Sequence, residues 1–264
     1  MKRILEVKEK EKEELSPIKE ITKPSVEEVK NEEPTLEEIK IKKYARVPSG
    51  IQGLDELIEG GFVPNSIVMV AGNAGTGKTI FCTQFIWNTL CMGENGVYVT
   101  TQQPPEEVKS DVSIFGRDFK RAEELGQCRI IYVEPQDIKN IVKIILKHVK
   151  EINAKRLVID SVSLMCEYAD KKKDIRYNLA YLFKELKKLG VTTLVTSEIE
   201  EGSKMLSRYG IEEFVVDGII VLYYLEFAAA GSTRSLAIRK MRRTKHGMDI
   251  YPFEITEKGI KIVG

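Results

Sequence analysis

Eight consecutive residues, Gly72, Asn73, Ala74, Gly75, Thr76, Gly77, Lys78 and Thr79, have the types and spacing of a loop that wraps a chain of phosphates. Glycines let successive backbone N–H groups turn inward around an anion with no Cβ in the way. An apolar stretch, Ile67 to Ala71, precedes the loop, and a helix is predicted to begin near Lys78. The N-terminus of that helix favours negative charge. Lys78 would reach the β and γ phosphates as a point charge, and the Thr79 hydroxyl would complete an octahedral shell around Mg²⁺. The ligand this chemistry fits is a nucleoside triphosphate with its magnesium ion.

A second landmark is the apolar run from Arg156 to Ile159 that ends in Asp160 and Ser161. In sheets of the nucleotide-binding kind, ligands gather at the carboxyl ends of the strands. Asp160 is therefore expected beside the glycine loop, holding Mg²⁺ directly or through water.

These residues need a scaffold, and from Tyr44 onward the apolar pattern supplies one. Strands are predicted at Ile67–Ala71, Val97–Thr101, Arg129–Val133, Arg156–Asp160 and Val191–Thr196. Ile138, Ile141, Val142, Ile145 and Val149 recur at helical spacing, and a second helix is predicted from about Asp174 to Lys188, before Gly190. This alternation predicts an α/β fold with a mostly parallel sheet and helices on both faces. The C-terminal part reads differently. Asp217–Phe227 and Thr233–Met241 flank a turn of small residues and predict an antiparallel hairpin, followed by strands at Ile250–Ile255 and Gly259–Val263.

A chain of 264 residues with 42% hydrophobic content is long enough to bury about 70% of its unfolded surface without disulfide or metal support. Cys82, Cys91, Cys128 and Cys166 lie far apart with no C-x-x-C pair, so they are expected as buried thiols in a reducing compartment. The first residues carry charge too soon for a signal peptide, and no apolar run reaches the ~18 residues of a membrane span. A cytoplasmic location is expected. A net charge of +1, from 41 basic and 40 acidic residues, supplies no bulk field for DNA or an anionic membrane.

Residues 1–43 form a separate, charged leader, predicted to be a flexible tail. More than half of them are charged and none is aromatic, too little apolar material for a core. Within the leader, Pro24-Ser25-Val26-Glu27-Glu28-Val29-Lys30 recurs ten residues on as Pro34-Thr35-Leu36-Glu37-Glu38-Ile39-Lys40, each copy with the Ser/Thr-x-x-Glu pattern of a capping box. The pair suits either a solvated tether or two docking motifs for a protein partner or a neighbouring subunit.

Five segments together carry a family resemblance. They are Arg46-Val47-Pro48-Ser49-Gly50-Ile51-Gln52-Gly53-Leu54-Asp55-Glu56-Leu57-Ile58, the glycine loop, Val158-Ile159-Asp160-Ser161, Thr196-Ser197-Glu198, and Lys240-Met241-Arg242-Arg243-Thr244-Lys245-His246. In this order they resemble the KaiC-like branch of the RecA and RadA ATPases, over residues 44–264. The resemblance implies a RecA-like P-loop core with a twisted sheet, ATP bound between neighbouring subunits, and homo-oligomers, usually hexameric rings. It also implies that Lys240 and Arg242 form a Lys-x-Arg finger reaching the γ-phosphate held by the next subunit. A guanidinium and an ammonium suit that charge, and arginine fingers elsewhere are worth ~10³ to 10⁵ in rate.

Two departures from the family pattern matter. Where relatives carry a Glu-Glu pair that polarises the attacking water, this chain has Gln102 and Gln103. An amide orients water but accepts no proton, and loss of a general base typically costs ~10² to 10⁴ in rate. Weak Mg²⁺-dependent ATP hydrolysis is the expectation, with Glu106 and Glu107 capping the helix beyond two prolines. The segment Ile211 to Asp217 also lacks the adjacent Ser-Thr pair on which clock-type relatives phosphorylate themselves.

The remaining polar residues predict less. His148 is expected on the charged side of its helix, and His246 either contacts nucleotide across an interface or is solvated. Lys171-Lys172-Lys173 reads as a solvated loop, and one of Tyr223 and Tyr224 should pack while the other is exposed. Three functions remain open: a regulatory or assembly ATPase of KaiC type, a RadA-paralogue-like recombination or repair ATPase binding single-stranded DNA, and a non-hydrolysing accessory subunit of a larger machine.

Overall fold

Strand β1 (Ile67–Gly72) is wholly buried, and its alternate side chains enter two different cores. Val68 and Val70 face one; Ile67, Met69 and Ala71 face the other. This period of two on a strand apolar throughout is what a sheet covered on both faces requires. The computed structural model describes residues 45–135, 138–167, 171–224 and 234–263. The described residues belong to one unit, Tyr44–Gly264; the leader and its repeated motif lie outside them.

The other strands are β2 (Gly96–Thr100), β3 (Cys128–Tyr132), β4 (Arg156–Asp160), β5 (Thr192–Glu198), β6 (Gly218–Tyr224), β7 (Arg234–Met241), β8 (Ile250–Thr256) and β9 (Gly259–Ile262). They form one nine-stranded sheet in the order β3-β2-β4-β5-β1-β6-β7-β8-β9. Pairing is parallel from β3 through β6 and antiparallel from β6 to β9. The predicted mixture of a parallel body and an antiparallel edge is therefore present, with the small-residue turn between β6 and β7 outside the described residues. Strands β2 and β3 each begin and end one residue earlier than predicted. Just past the end of β2, the Thr101 hydroxyl accepts from the Ser161 amide at 3.0 Å.

The helix Lys78–Cys91 covers one face with Phe81, Cys82, Phe85 and Ile86. The helices Ile138–Glu151 and Lys172–Lys188 cover the other; the first buries Ile141, Val142, Ile145 and Val149, as its apolar spacing requires. Three of the four cysteines are buried as expected, but Cys91 is exposed at the solvent end of its helix. Glu106 and Glu107 lie in the first turn of the helix Pro105–Ser113, where the dipole favours them. Neither caps it: the N-cap is Pro104, and Glu106 pairs with Lys109 at 2.7 Å. His148 is half-covered, between Arg129 and Glu151. Tyr223 packs against the core while Tyr224 stays exposed. Among the described residues no helix is long and apolar enough to cross a membrane.

Candidate nucleotide-binding site

The glycine loop leaves the end of β1 and turns directly into the helix Lys78–Cys91. A Cβ on Gly72 would lie 2.6 Å from the Leu222 carbonyl oxygen and 2.7 Å from the Thr76 hydroxyl, so a side chain there would push β1 from β6. Gly75 and Gly77 hold φ of 74° and 99°, a region that disfavours residues with a Cβ. The Thr76 hydroxyl donates to the Asn73 carbonyl at 2.8 Å and ties the loop to itself.

Lys78 curls back over the loop, its ammonium donating to the carbonyls of Gly72 and Asn73 at 2.9 Å each. An ammonium has three donors, so one remains for a ligand. Burial lowers the Lys78 pKa, against the opposing pull of Asp160 and Glu198. A partly buried ammonium with one N–H to spare suits a polyphosphate.

Asp160 ends β4 and is only 9% exposed. Its Oδ2 accepts from the Thr79 hydroxyl at 2.8 Å and the Tyr98 phenol at 2.6 Å; its Oδ1 accepts from the Thr196 hydroxyl at 2.5 Å. Two strands, β2 and β5, and the loop helix therefore aim hydroxyls at one carboxylate. Because Thr79 spends its proton on Asp160, its oxygen lone pairs are free for a hard cation, so the donor set fits Mg²⁺. Burial and the adjoining carboxylate push the Tyr98 phenol well above its ordinary range, so it remains a donor. Sequence reasoning missed Tyr98 and Thr196. No local signal marked them, because they reach Asp160 only through the placement of β2 and β5 on either side of β4.

The loop, Gln102, Asp160, Ser161, Glu198 and Arg208 line one cleft of about 1200 Å³. The two glutamines diverge. Gln102 enters the cleft, donating to Glu198 Oε1 at 2.8 Å. Gln103 turns toward the helix Pro105–Ser113, its amide 3.5 Å from Asp111. Lys240 and Arg242 are not brought to this cleft within the chain. Lys240 donates to the carbonyls of Glu213 and Val216 at 2.9 and 2.7 Å. Arg242 lies 3.4 Å from Asp217, which also takes Lys187 at 2.6 Å. His246 meets the neighbouring Gly247 carbonyl at 2.8 Å.

A glycine loop after a central parallel strand, with an acid at the end of a nearby strand, defines a P-loop nucleoside-triphosphate-binding domain on a RecA-like sheet. Residues 47–264 match the family model described as the KaiC ATPase, and the chain belongs to that family. It is 38% identical over 234 residues to a UPF0273 protein of Thermotoga maritima, covering 82% of this chain and 95% of that one. It is 32% identical over 229 residues to the circadian clock oscillator protein KaiC of Synechococcus elongatus, where the match spans 83% of this chain but 44% of the relative. The crystal structure of the KaiC-like protein PH0186 of Pyrococcus horikoshii superposes with a TM-score of 0.76 at 42% identity, covering 84% of this chain and all of that one.

Proposed function

We propose that this chain binds Mg·ATP in the cleft, that neighbouring copies close the site in an oligomer, with a hexameric ring favoured, and that turnover is slow. The role is then regulatory: bound nucleotide controls assembly or the docking of a protein partner, with the leader as the tether. The observation that carries the reading is the Thr79–Asp160 contact at 2.8 Å beneath a loop whose Lys78 is already bent over it. The backbone N–H groups of residues 73–79 would surround the phosphates, and Lys78 would neutralise the β and γ oxygens. Thr79 would ligate Mg²⁺ and Asp160 would hold it through water; the ion when bound offsets phosphate charge.

Slow hydrolysis is supported by amides at positions 102 and 103, where the family resemblance implies acids. Assembly is supported by the position of Lys240 and Arg242, both outside the chain's own cleft. Arg242 is more than half exposed beside Asp217 and is available to a second copy. Size-exclusion chromatography with light scattering, with and without Mg·ATP and alongside phosphate release, tests both parts. A larger species with nucleotide and release slower than about one per minute is expected. A monomer under all conditions would overturn the assembly part, and rapid release the slow-turnover part.

A further inference from the structure

Glu198 lines the cleft beside the glycine loop. It ends β5 directly opposite Gly72, the first residue of the glycine loop, in the β1–β5 register. Its amide donates to the Ser163 hydroxyl at 3.0 Å, which fixes the backbone. The side chain is 38% exposed, so water reaches it. Gln102 donates to Glu198 Oε1 at 2.8 Å while standing 3.4 Å from the Ser161 hydroxyl beside Asp160. The charges facing this carboxylate are Lys78 from the loop and Arg208 from the segment after β5; Arg208 lies 4.0 Å away and also pairs with Glu200 at 3.3 Å. The cleft thus holds an amide and a carboxylate joined by a hydrogen bond, on two different strand ends, next to the residues that would hold the γ-phosphate and its ion.

We infer that Glu198 is the proton acceptor for the attacking water and that Gln102 orients both, so the residual hydrolysis of this chain runs through a carboxylate on β5. The inference rests on the Mg·ATP reading above. In the step, the water oxygen bonds to the γ-phosphorus as one of its protons passes to a Glu198 carboxylate oxygen. The bond from the γ-phosphorus to the bridging oxygen breaks, and its electron pair leaves with ADP. Glu198 then releases the proton to solvent, leaving inorganic phosphate and the starting carboxylate. Gln102 keeps its N–H on Glu198 and offers its carbonyl oxygen to the water, a division of labour that neither an isolated glutamine nor an unanchored glutamate provides.

The test uses the full chain with Mg·ATP and two readouts, affinity for a fluorescent ATP analogue and single-turnover phosphate release. Glu198→Gln should bind within about 3-fold of wild type and release phosphate ~10²-fold or more slowly. The exchange variant Gln102→Glu with Glu198→Gln returns one carboxylate to the pair and should recover release to within about 10-fold of wild type, an outcome no structural role for Glu198 produces. Release by Glu198→Gln at the wild-type rate, or an exchange variant as slow as the single one, overturns the inference. Wild-type protein that binds the analogue but never releases phosphate overturns it too, leaving nucleotide binding intact. Wild-type protein that binds no analogue overturns the Mg·ATP reading itself.

Discussion

Replacing Tyr98 by Phe isolates one hydrogen bond at the centre of the site. The ring is wholly buried in the core beneath β2, and the substitution removes only the hydroxyl, so apolar area and volume stay essentially constant. What is lost is a 2.6 Å contact from the phenol to the ionised Asp160. Hydrogen bonds to charged groups contribute about 1.5–3 kcal/mol, and for a domain of this size each kcal/mol moves Tm by about 2–4 °C. The variant should therefore unfold about 3–12 °C below wild type, measured by circular dichroism in nucleotide-free buffer. Because burial and Asp160 hold the phenol protonated well beyond its ordinary range, the difference should be the same at pH 6 and pH 8. Asp160 keeps its contacts from Thr79 and Thr196, so the variant should still fold and still bind nucleotide. Unfolding within 1 °C of wild type would refute the argument that Tyr98 anchors the carboxylate.

Three further outcomes follow from the same geometry. Thr79→Ala removes the hydroxyl proposed to ligate the ion, and titrations of ATP with and without Mg²⁺ should lose most of their difference; an undiminished magnesium effect would remove Thr79 from the metal site. Gln102→Ala removes the N–H that Glu198 accepts and should slow single-turnover phosphate release by ~10-fold or more; an unchanged rate would show that Gln102 orients neither the water nor Glu198. Asp217 is buried, which alone would raise its carboxyl, but the Lys187 bond, the Ile67 amide and the nearby cations bring the net shift below the usual value. A depressed native value means the contribution is present above about pH 4 and lost as pH falls through the native value. Asp217→Asn should accordingly lower the urea midpoint at pH 7, with the gap to wild type narrowing as pH drops from 4 toward 2; a constant gap would contradict the assignment.

The chemistry that depends on contiguous residues was legible in the sequence. Gly72 to Thr79 is a local motif whose backbone geometry dictates its letters, and Asp160 is marked by the apolar strand it ends. The parallel body could be read because strands buried on both faces are apolar throughout, and the helix Ile138–Glu151 because its buried residues keep helical spacing. What could not be read is set by strand order. Tyr98, Thr196 and Asp160 meet only because β2, β4 and β5 are neighbours, and nothing local to any one of them says so. The same holds for Gln102 and Glu198, which come from different strand ends, and for Lys187 and Asp217, 30 residues apart in the chain and 2.6 Å apart in space. Gln103 shows the converse. Its sequence neighbour enters the cleft, but the turn that bonds both amides to the Thr100 hydroxyl sends Gln103 away from it.

The central claim is that the loop around Lys78 grips a triphosphate and its ion. Isothermal titration of the full chain with Mg·ATP tests it most directly, using Lys78→Ala as the control. The account predicts saturable binding close to one nucleotide per chain in wild type and its loss in the variant. Well-folded wild-type protein that takes up no ATP, or a Lys78→Ala protein that binds it equally well, would contradict the account.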